Sequence, residues 1–281
     1  MTAVDESTAP VNAGDAALLV QRYGAEPESA PELSDVIRHQ LAHRSVRAFG
    51  PEPVSDAALD AIVAAAQSAP TSSNLQTWSL VVVRDPELKS RLASLSGDQE
   101  FIRQAPVFLV WLVDFARLAQ LADRHDHALD GADYTESAIV GFVDVSLAAQ
   151  NASLAAESLG LGTVFVGGAR NHPEELAAEL HLPDRVVAAF GLAVGHPDEA
   201  DTARVKPRLP QPAVVHHERY REDTQLPAVD DYEKTIRAFY EDEGLAHSWI
   251  ERVLARIGTV RGLNGRERNR EALRNRGFEL R

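Results

Sequence analysis

The sequence predicts a folded chain that mixes β-strands with α-helices around a core of its own. Three observations carry this reading. Hydrophobic residues make up 44% of the chain and charged residues 25%, the proportions of an ordinary globular protein rather than a disordered one. Four apolar runs of strand length, at 79–84, 107–113, 163–166 and 186–194, alternate with segments bearing helix start and stop signals. One long segment, 137–159, is apolar on nearly all sides and rich in Ala and Ser, as a central buried helix is.

Taken in order, residues 1–32 are rich in Ala, Pro, Ser, Asp and Glu and read as a loosely attached arm able to dock one turn of helix at 16–20. Ser34 caps a helix to about Ala42, and Ser55 caps another reaching about Ser68, where Ala69-Pro70 stops it. The polar loop Thr71–Gln76 leads into the strand 79–84, and Asp85-Pro86-Glu87 opens a short helix. The unbroken apolar run 107–113 reads as a strand buried on both faces. Residues 115–135 are polar and ambiguous. Gly160-Leu161-Gly162 ends the long helix, and the strand 163–166 runs into Gly167-Gly168. A helix at about 173–180 precedes the last strand, 186–194; beyond Gly195 the chain is irregular and turns helical from about Asp231. No internal repeat is visible.

Charge and composition exclude several function classes. With 28 Lys+Arg against 42 Asp+Glu the chain carries a formal charge of −14, which would repel a nucleic-acid backbone. Cysteine is absent, so disulfides, thiolate catalysis and Cys-ligated zinc or iron–sulfur centres are excluded. No run of about 18 apolar residues suggests a membrane span, and the acidic start MTAVDESTAPVNAGD does not resemble a secretory signal, so the expected compartment is the cytoplasm. Residues 252–281 hold nine Arg against three Glu, read as an exposed Arg-rich helix or as a segment pairing with an acidic surface.

The candidate chemistry lies in short clusters. In His43-Arg44-Ser45-Val46-Arg47, alternating side chains of an extended segment share a face, so His43, Ser45 and Arg47 either converge on one anion or form a solvated basic turn. Lys206-Pro207-Arg208 is a second fixed pair of cations; two small patches in an acidic chain point to a phosphate-bearing small ligand rather than a polymer. Gly167-Gly168 after a strand is either a tight turn or a place where main-chain N–H groups approach a planar ligand. The hydroxyls and amides of Thr71–Gln76 form either a bare loop or part of a site. His125-Asp126-His127 lacks a third ligand and reads as surface loop, so no metal is expected. Gly-x-Gly-x-x-Gly, Gly-x-Ser-x-Gly, Walker and His-Glu-x-x-His motifs are all missing.

These clusters occur in an order that resembles the FMN-dependent nitroreductase superfamily. His43–Phe49 resembles its opening HRSxRxF segment, and the match continues through Ala69–Gln76, Ser96-Gly97-Asp98-Gln99, Gln150–Ala152 with Ala156–Gly162, Val166–Asn171, Phe190-Gly191-Leu192 and Lys206–Pro210. The last two blocks and Arg276-Gly277-Phe278 are similar to the type A branch of oxygen-insensitive NADPH nitroreductases and flavin reductases. The resemblance covers about residues 33–281, making this one FMN-binding domain with a C-terminal helical extension.

The resemblance implies an α+β fold, with a mostly antiparallel central sheet flanked by helices, in an intertwined homodimer with FMN at each subunit interface. It implies that His43, Arg44, Ser45, Lys206 and Arg208 bind the FMN phosphate and ribityl chain. Arg47 and Gln99 would face the pyrimidine edge, where a cation stabilises reduced flavin. Phe165, Val166, Gly167 and Gly168 would line the other side, with Gly168 among the groups tuning the flavin through a backbone N–H at N5. Thr71, Ser72, Ser73, Asn74 and Leu75 would come from the partner subunit, and Arg170 would hold nicotinamide or substrate. Hydride would pass from NADPH or NADH to flavin N5 and on to a nitroaromatic or quinone by a ping-pong scheme, with no acid/base residue.

Two departures bear on these expectations. Type A enzymes carry an Arg-containing loop that grips the NADPH 2′-phosphate, whereas Glu241–Trp249 here is short, acidic and lacks arginine, leaving NADPH and NADH both open. Thr71 and Asn74 stand where Ser and Phe are expected. The alternatives are a flavin reductase releasing reduced FMN, and a flavin-binding protein with little turnover.

Overall fold

Four strands, β1 (Trp78–Val83), β2 (Val107–Asp114), β3 (Gly162–Val166) and β4 (Val186–Gly195), form one antiparallel sheet in the order β1-β2-β4-β3. The computed structural model describes residues 13–25 and 31–281, in two compact units: Met1–Arg44 with Arg204–Gly262, and Ser45–Ala203 with Leu263–Arg281. The helices along the chain begin with α1 (Ala13–Tyr23), α2 (Asp35–Leu41), α3 (Asp56–Gln67) and α4 (Pro86–Leu95). They continue with α5 (Glu100–Gln104), α6 (Ala116–Arg124), α7 (Thr135–Ser158) and α8 (Pro173–Glu179), then α9 (Gln225–Glu241), α10 (Trp249–Ile257) and α11 (Asn269–Asn275).

In the unit that holds the sheet, β2 shows why its sequence is apolar without alternation. Leu109, Trp111 and Val113 face one cluster with Ile62 and Ala66 of α3 and Val145, Ala149 and Ala152 of α7. Phe108, Val110 and Leu112 face a second cluster with Leu92 of α4, Ile102 of α5 and Leu176 of α8. An antiparallel strand covered by helices on both faces needs no polar side. Gly191 of β4 leaves room for the Phe108 ring, which a Cβ there would overlap. Between Trp111 and Leu112 the β2–β4 register shifts, so Ala189 is the extra residue of a β-bulge.

The helix ends follow local chemistry. The Ser55 side chain accepts from Ala58 N at 3.1 Å, and Asp85 accepts from Leu88 N at 2.7 Å with Pro86 in the first turn. α7 closes on Gly160 (φ +80°): Leu161 N donates to Ala156 O at 3.1 Å and Gly160 N to Glu157 O at 3.0 Å. α4 closes likewise on Gly97 (φ +89°), with Asp98 N donating to Ala93 O at 2.9 Å. By length and apolar composition α7 would suffice to cross a bilayer, but here it packs on the sheet and buries Asp144 among hydrogen-bond donors.

One ambiguous segment takes a definite form, and two expectations are corrected. The polar 115–135 segment contains α6, held on the unit by Arg117, which donates to Gln76 O and Trp78 O. Helix α9 begins at Gln225 rather than about Asp231, because Pro227 sits in its first turn, where its missing N–H is harmless. The Arg-rich C-terminus is not one exposed helix: α10 and α11 are separated by irregular turns. Within its own unit Arg276 binds the carbonyls of Leu182 and Val186, and Arg281 lies 3.5 Å from Asp133.

In the other unit, the segment read as able to dock a single turn holds the three-turn α1. Asp15 pairs with Arg38 of α2 at 2.7 Å, and Leu19 is buried. Residues 1–12 and 26–30 of the expected arm lie outside the described residues. Glu233 of α9 accepts from Trp249 N (2.9 Å) and Ile250 N (3.1 Å), capping α10 from outside.

Candidate functional site

His43-Arg44, the first part of one cationic cluster, and the whole of Lys206-Pro207-Arg208 fall within the unit that contains α1, α2, α9 and α10. There the Arg22 guanidinium donates to Leu41 O (2.6 Å), His43 O (2.9 Å) and Lys206 O (2.9 Å), while Arg208 N donates to Arg22 O (2.8 Å). The His43-Arg44 and Lys206–Arg208 backbones are thus tied to one side chain. Lys206 and Arg208 are exposed, with buried Pro207 between them accepting from Tyr232 Oη at 3.2 Å. Arg208, Arg22, Leu41, Tyr232 and Trp249 share the lining of a cavity of about 520 Å³. Burial, followed by the charge of Arg208, pulls the Arg22 pKa down. The departing segment after α9 is an exposed turn whose Glu243 pairs with Arg204 at 3.2 Å, while His247 stacks on Tyr240 with ring centroids 3.9 Å apart. Lys206 lies 5.2 Å from the Tyr240 ring centroid, and burial, then Arg252 and Lys206, hold His247 below the usual histidine value.

The chain passes to the sheet-bearing unit between Arg44 and Ser45. Ser45 bridges Thr163 of β3 in parallel, and Val46 N donates to Thr163 O at 3.0 Å. A Cβ on Gly162 would come within 2.7 Å of Val46, so that glycine is what admits the segment. Val46 points into the core, which leaves Arg47 exposed on the other side, as Phe165 is. Phe165 stands edge-on to Phe190 with centroids 5.4 Å apart.

At the end of β3, Val166 leads into the single turn Gly167–Arg170. A Cβ on Gly168 would overlap the Ser96 carbonyl and lie 3.0 Å from Gln99 Nε2, so only glycine lets the 96–99 turn close against it. Gln99 Nε2 donates to Ser96 O at 2.9 Å. Arg103 holds this turn in place, and Lys89 fixes the end of α5 behind it. Arg103 binds Ser94 Oγ (3.0 Å), Glu100 (3.0 Å) and Asp98, and buried Lys89 donates to Ala105 O at 2.5 Å and Arg103 O at 3.4 Å, its pKa lowered chiefly by burial.

A side chain on Gly167 would meet only guanidiniums, Arg170 Nη2 at 3.5 Å and Arg266 Nη1 at 3.9 Å. Arg266 Nε donates to Asn171 Oδ1 at 2.8 Å, and Arg170 Nη1 binds the bulge carbonyl of Ala189. Arg266 carried no local sequence signal beyond the Arg-rich composition of its segment.

The loop Thr71–Leu75 occupies another part of this unit. Ser73 (φ 49°), Asn74 (φ 57°) and Gln76 (φ 54°) all adopt left-handed backbone, and Ser72–Gln76 are exposed. Asp144 of α7, 1% exposed, holds the loop down. Its carboxylate accepts from Thr71 Oγ1 (2.5 Å), Ser72 N (3.0 Å), Thr77 N (3.3 Å) and Thr77 Oγ1 (3.0 Å). An acid in the middle of a largely apolar 24-residue helix, far from Glu136 and Glu157 at its two ends, is the signal that could have found it. Among the described residues no group of three or more His, Asp and Glu is placed to hold a metal ion.

Residues 41–99 and 93–196 match the Nitroreductase family, and residues 206–281 match its C-terminal domain. The chain belongs to the nitroreductase family. It is 45% identical over 195 residues to an FMN reductase [NAD(P)H] of Bacillus subtilis, covering 69% of this chain and 78% of that protein. It is 40% identical over 213 residues to the oxygen-insensitive NADPH nitroreductase of Salmonella typhimurium, covering 75% and 85%. The solved structure of NfrA2 from B. megaterium superposes with a TM-score of 0.84 at 38% identity, covering 89% of this chain and all of that one. The NADPH:FMN oxidoreductase from Vibrio harveyi complexed with NAD+ superposes with a TM-score of 0.79 at 35% identity, covering 88% and 100%. The family confirms the α+β expectation drawn from the motif order.

Proposed function

We propose that this nitroreductase-family chain is an FMN-dependent oxidoreductase that transfers electrons from NADPH or NADH to nitroaromatic, quinone or free flavin acceptors, as a cytoplasmic homodimer in a ping-pong exchange. The observation that carries the reading is the Gly167-Gly168 turn. Gly168 is closed on Ser96–Gln99 as only glycine allows, and Gly167 is open and rimmed by Arg170 and Arg266. A planar ligand edged with hydrogen-bond acceptors and carrying a phosphate tail fits such donors.

FMN, when bound, supplies reversible two-electron chemistry between donor and acceptor. His43, Arg44, Ser45, Lys206 and Arg208 would hold its phosphate and ribityl chain. Arg47 and Gln99 would meet the pyrimidine edge, where a guanidinium stabilises the negative charge of the reduced ring. Phe165, Val166, Gly167 and Gly168 would bound the ring, their main-chain N–H groups unshielded by Cβ atoms at the glycines. Arg170 and Arg266 would orient the phosphates or carboxylates of the nicotinamide and acceptor.

The homodimer is supported by α7. Ile139, Val143 and Leu147 are 53%, 50% and 39% exposed at helical spacing, along a groove of about 420 Å³ that also takes in Phe142. A second copy would cover this stripe and bring its own Thr71–Leu75 loop to the flavin. The acidic turn at 241–243 disfavours a 2′-phosphate, which supports use of NADH beside NADPH.

The test is the visible spectrum of the purified protein before and after anaerobic NADPH or NADH. Flavin bands that bleach establish the reading and rank the donors. A protein that stays colourless after incubation with FMN refutes it. Steady-state dependence on added FMN then separates release of reduced flavin from direct reduction of a nitro or quinone compound.

A further inference from the structure

The matched family segments begin at residue 41, so α1 lies ahead of them, yet its Arg22 reaches into the phosphate-binding segments of its unit. Arg22 is 6% exposed. Among the described residues its side chain reaches no carboxylate: its three hydrogen bonds go to main-chain carbonyls, Leu41 and His43 on one segment and Lys206 on the other. Its own carbonyl accepts from Arg208 N. A planar guanidinium can span two backbone segments in this way where an ammonium cannot reach all the acceptors.

The helix that carries Arg22 is itself fixed. Asp15 binds Arg38 of α2 through both carboxylate oxygens, at 2.7 and 3.0 Å. α1 ends at Gly24 (φ +75°), whose N–H donates to Val20 O at 2.7 Å, and a Cβ there would overlap the Thr235 methyl of α9. Tyr232 of α9 holds the Pro207 carbonyl, so the 206–208 segment is gripped by α9 and by Arg22.

We propose that Arg22 is a positioning residue: by bridging the 41–43 and 206–208 backbones it sets the spacing at which His43-Arg44 and Lys206-Arg208 meet a flavin phosphate. The inference rests on the flavin reading above. It assigns to the N-terminal helix a part in cofactor selection, since two cationic clusters held at a fixed separation prefer a phosphorylated flavin over one without phosphate.

The test titrates the full-length protein, stripped of flavin, with FMN and with riboflavin, following quenching of flavin fluorescence. Riboflavin carries the same ring and ribityl chain and lacks the phosphate. The expected result is that the unaltered chain prefers FMN, and that Arg22→Met loses roughly tenfold in FMN affinity while its riboflavin affinity is unchanged. Arg22→Lys, which keeps the charge but spans fewer carbonyls, falls between the two and carries the test if Arg22→Met does not fold. Proportional loss of both ligands, or no loss of either, overturns the positioning role and leaves the flavin reading standing. An unaltered chain that binds FMN no better than riboflavin overturns the phosphate assignment itself.

Discussion

Replacing Asp144 with Ala separates the loop at 71–77 from the helix that holds it, and its effect can be worked out from four hydrogen bonds. The Thr77 amide and hydroxyl are fully enclosed, and without the carboxylate each loses its acceptor, at about 1–3 kcal/mol apiece. Ser72 N and Thr71 Oγ1 lie nearer solvent and exchange the carboxylate for water, so they add little. Alanine returns less than about 0.7 kcal/mol in helix propensity. The net loss is about 3 kcal/mol, which for a chain of this size lowers Tm by about 6–12 °C. Ser73, Asn74 and Gln76 are then free to leave their left-handed conformations, each of which costs about 1–3 kcal/mol to hold. The assay is thermal unfolding at fixed protein concentration, paired with limited proteolysis and hydrogen exchange at Thr77. Asp144→Asn, which keeps an acceptor oxygen for the Thr71 and Thr77 donors but turns a donor towards the Ser72 amide, falls between the unaltered chain and Asp144→Ala. A Tm drop below about 2 °C with unchanged protection at Thr77 refutes the account.

Gly168→Ala forces a Cβ into the Ser96 carbonyl and costs about 1–3 kcal/mol with loss of bound flavin, whereas Gly167→Ala, whose Cβ meets Arg170 Nη2 at an ordinary 3.5 Å, keeps its Tm. Equal Tm values for the two variants would count against the packing. Burial alone would raise the Glu233 carboxyl, but donors from Ser248, Ile250, Arg237 and Trp249 outweigh it and hold the pKa below the usual value. A depressed carboxylate gives stability that is present above its unfolded pKa and lost as pH falls through the folded one. Resistance to chemical denaturation should therefore fall on acidification below about pH 4, and Glu233→Gln should lose about 1–2 kcal/mol at neutral pH and flatten that acid dependence. Ile139→Glu combined with Val143→Asp places charges on the apolar stripe of α7 and should leave a monomer in sedimentation velocity; a variant that stays dimeric places the subunit contact elsewhere.

Local chemistry was the legible part of the fold. Ser34, Ser55 and Asp85 cap the helices their sequence positions announce, and the four strands begin and end within a residue or two of their apolar runs. Helix α6 escaped because its residues are mostly polar and its hold on the unit runs through Arg117, forty residues in sequence from the carbonyls it binds. The segments of the candidate site were visible as clusters of cations, glycines and hydroxyls. What arranges them was not. Arg22 meets Lys206 across 184 positions, Asp144 meets Ser72 across 72 and Arg266 meets Asn171 across 95, and no local pattern encodes such pairs. The bulge at Ala189, which gives Arg170 a carbonyl to bind, likewise exists only once β4 has paired with β2.

Helix α7 has a thermodynamic consequence. On one face it bears Ile139, Val143 and Leu147; on another, Asp144 grips the strained loop. A 24-residue rod in a close-packed interior does not transmit these two engagements independently. If a second copy binds the stripe more tightly when the loop is ordered, reciprocity requires that the ordered loop strengthen association by the same factor. Dilution would then loosen the loop without any ligand changing, and protein concentration becomes a variable of catalysis.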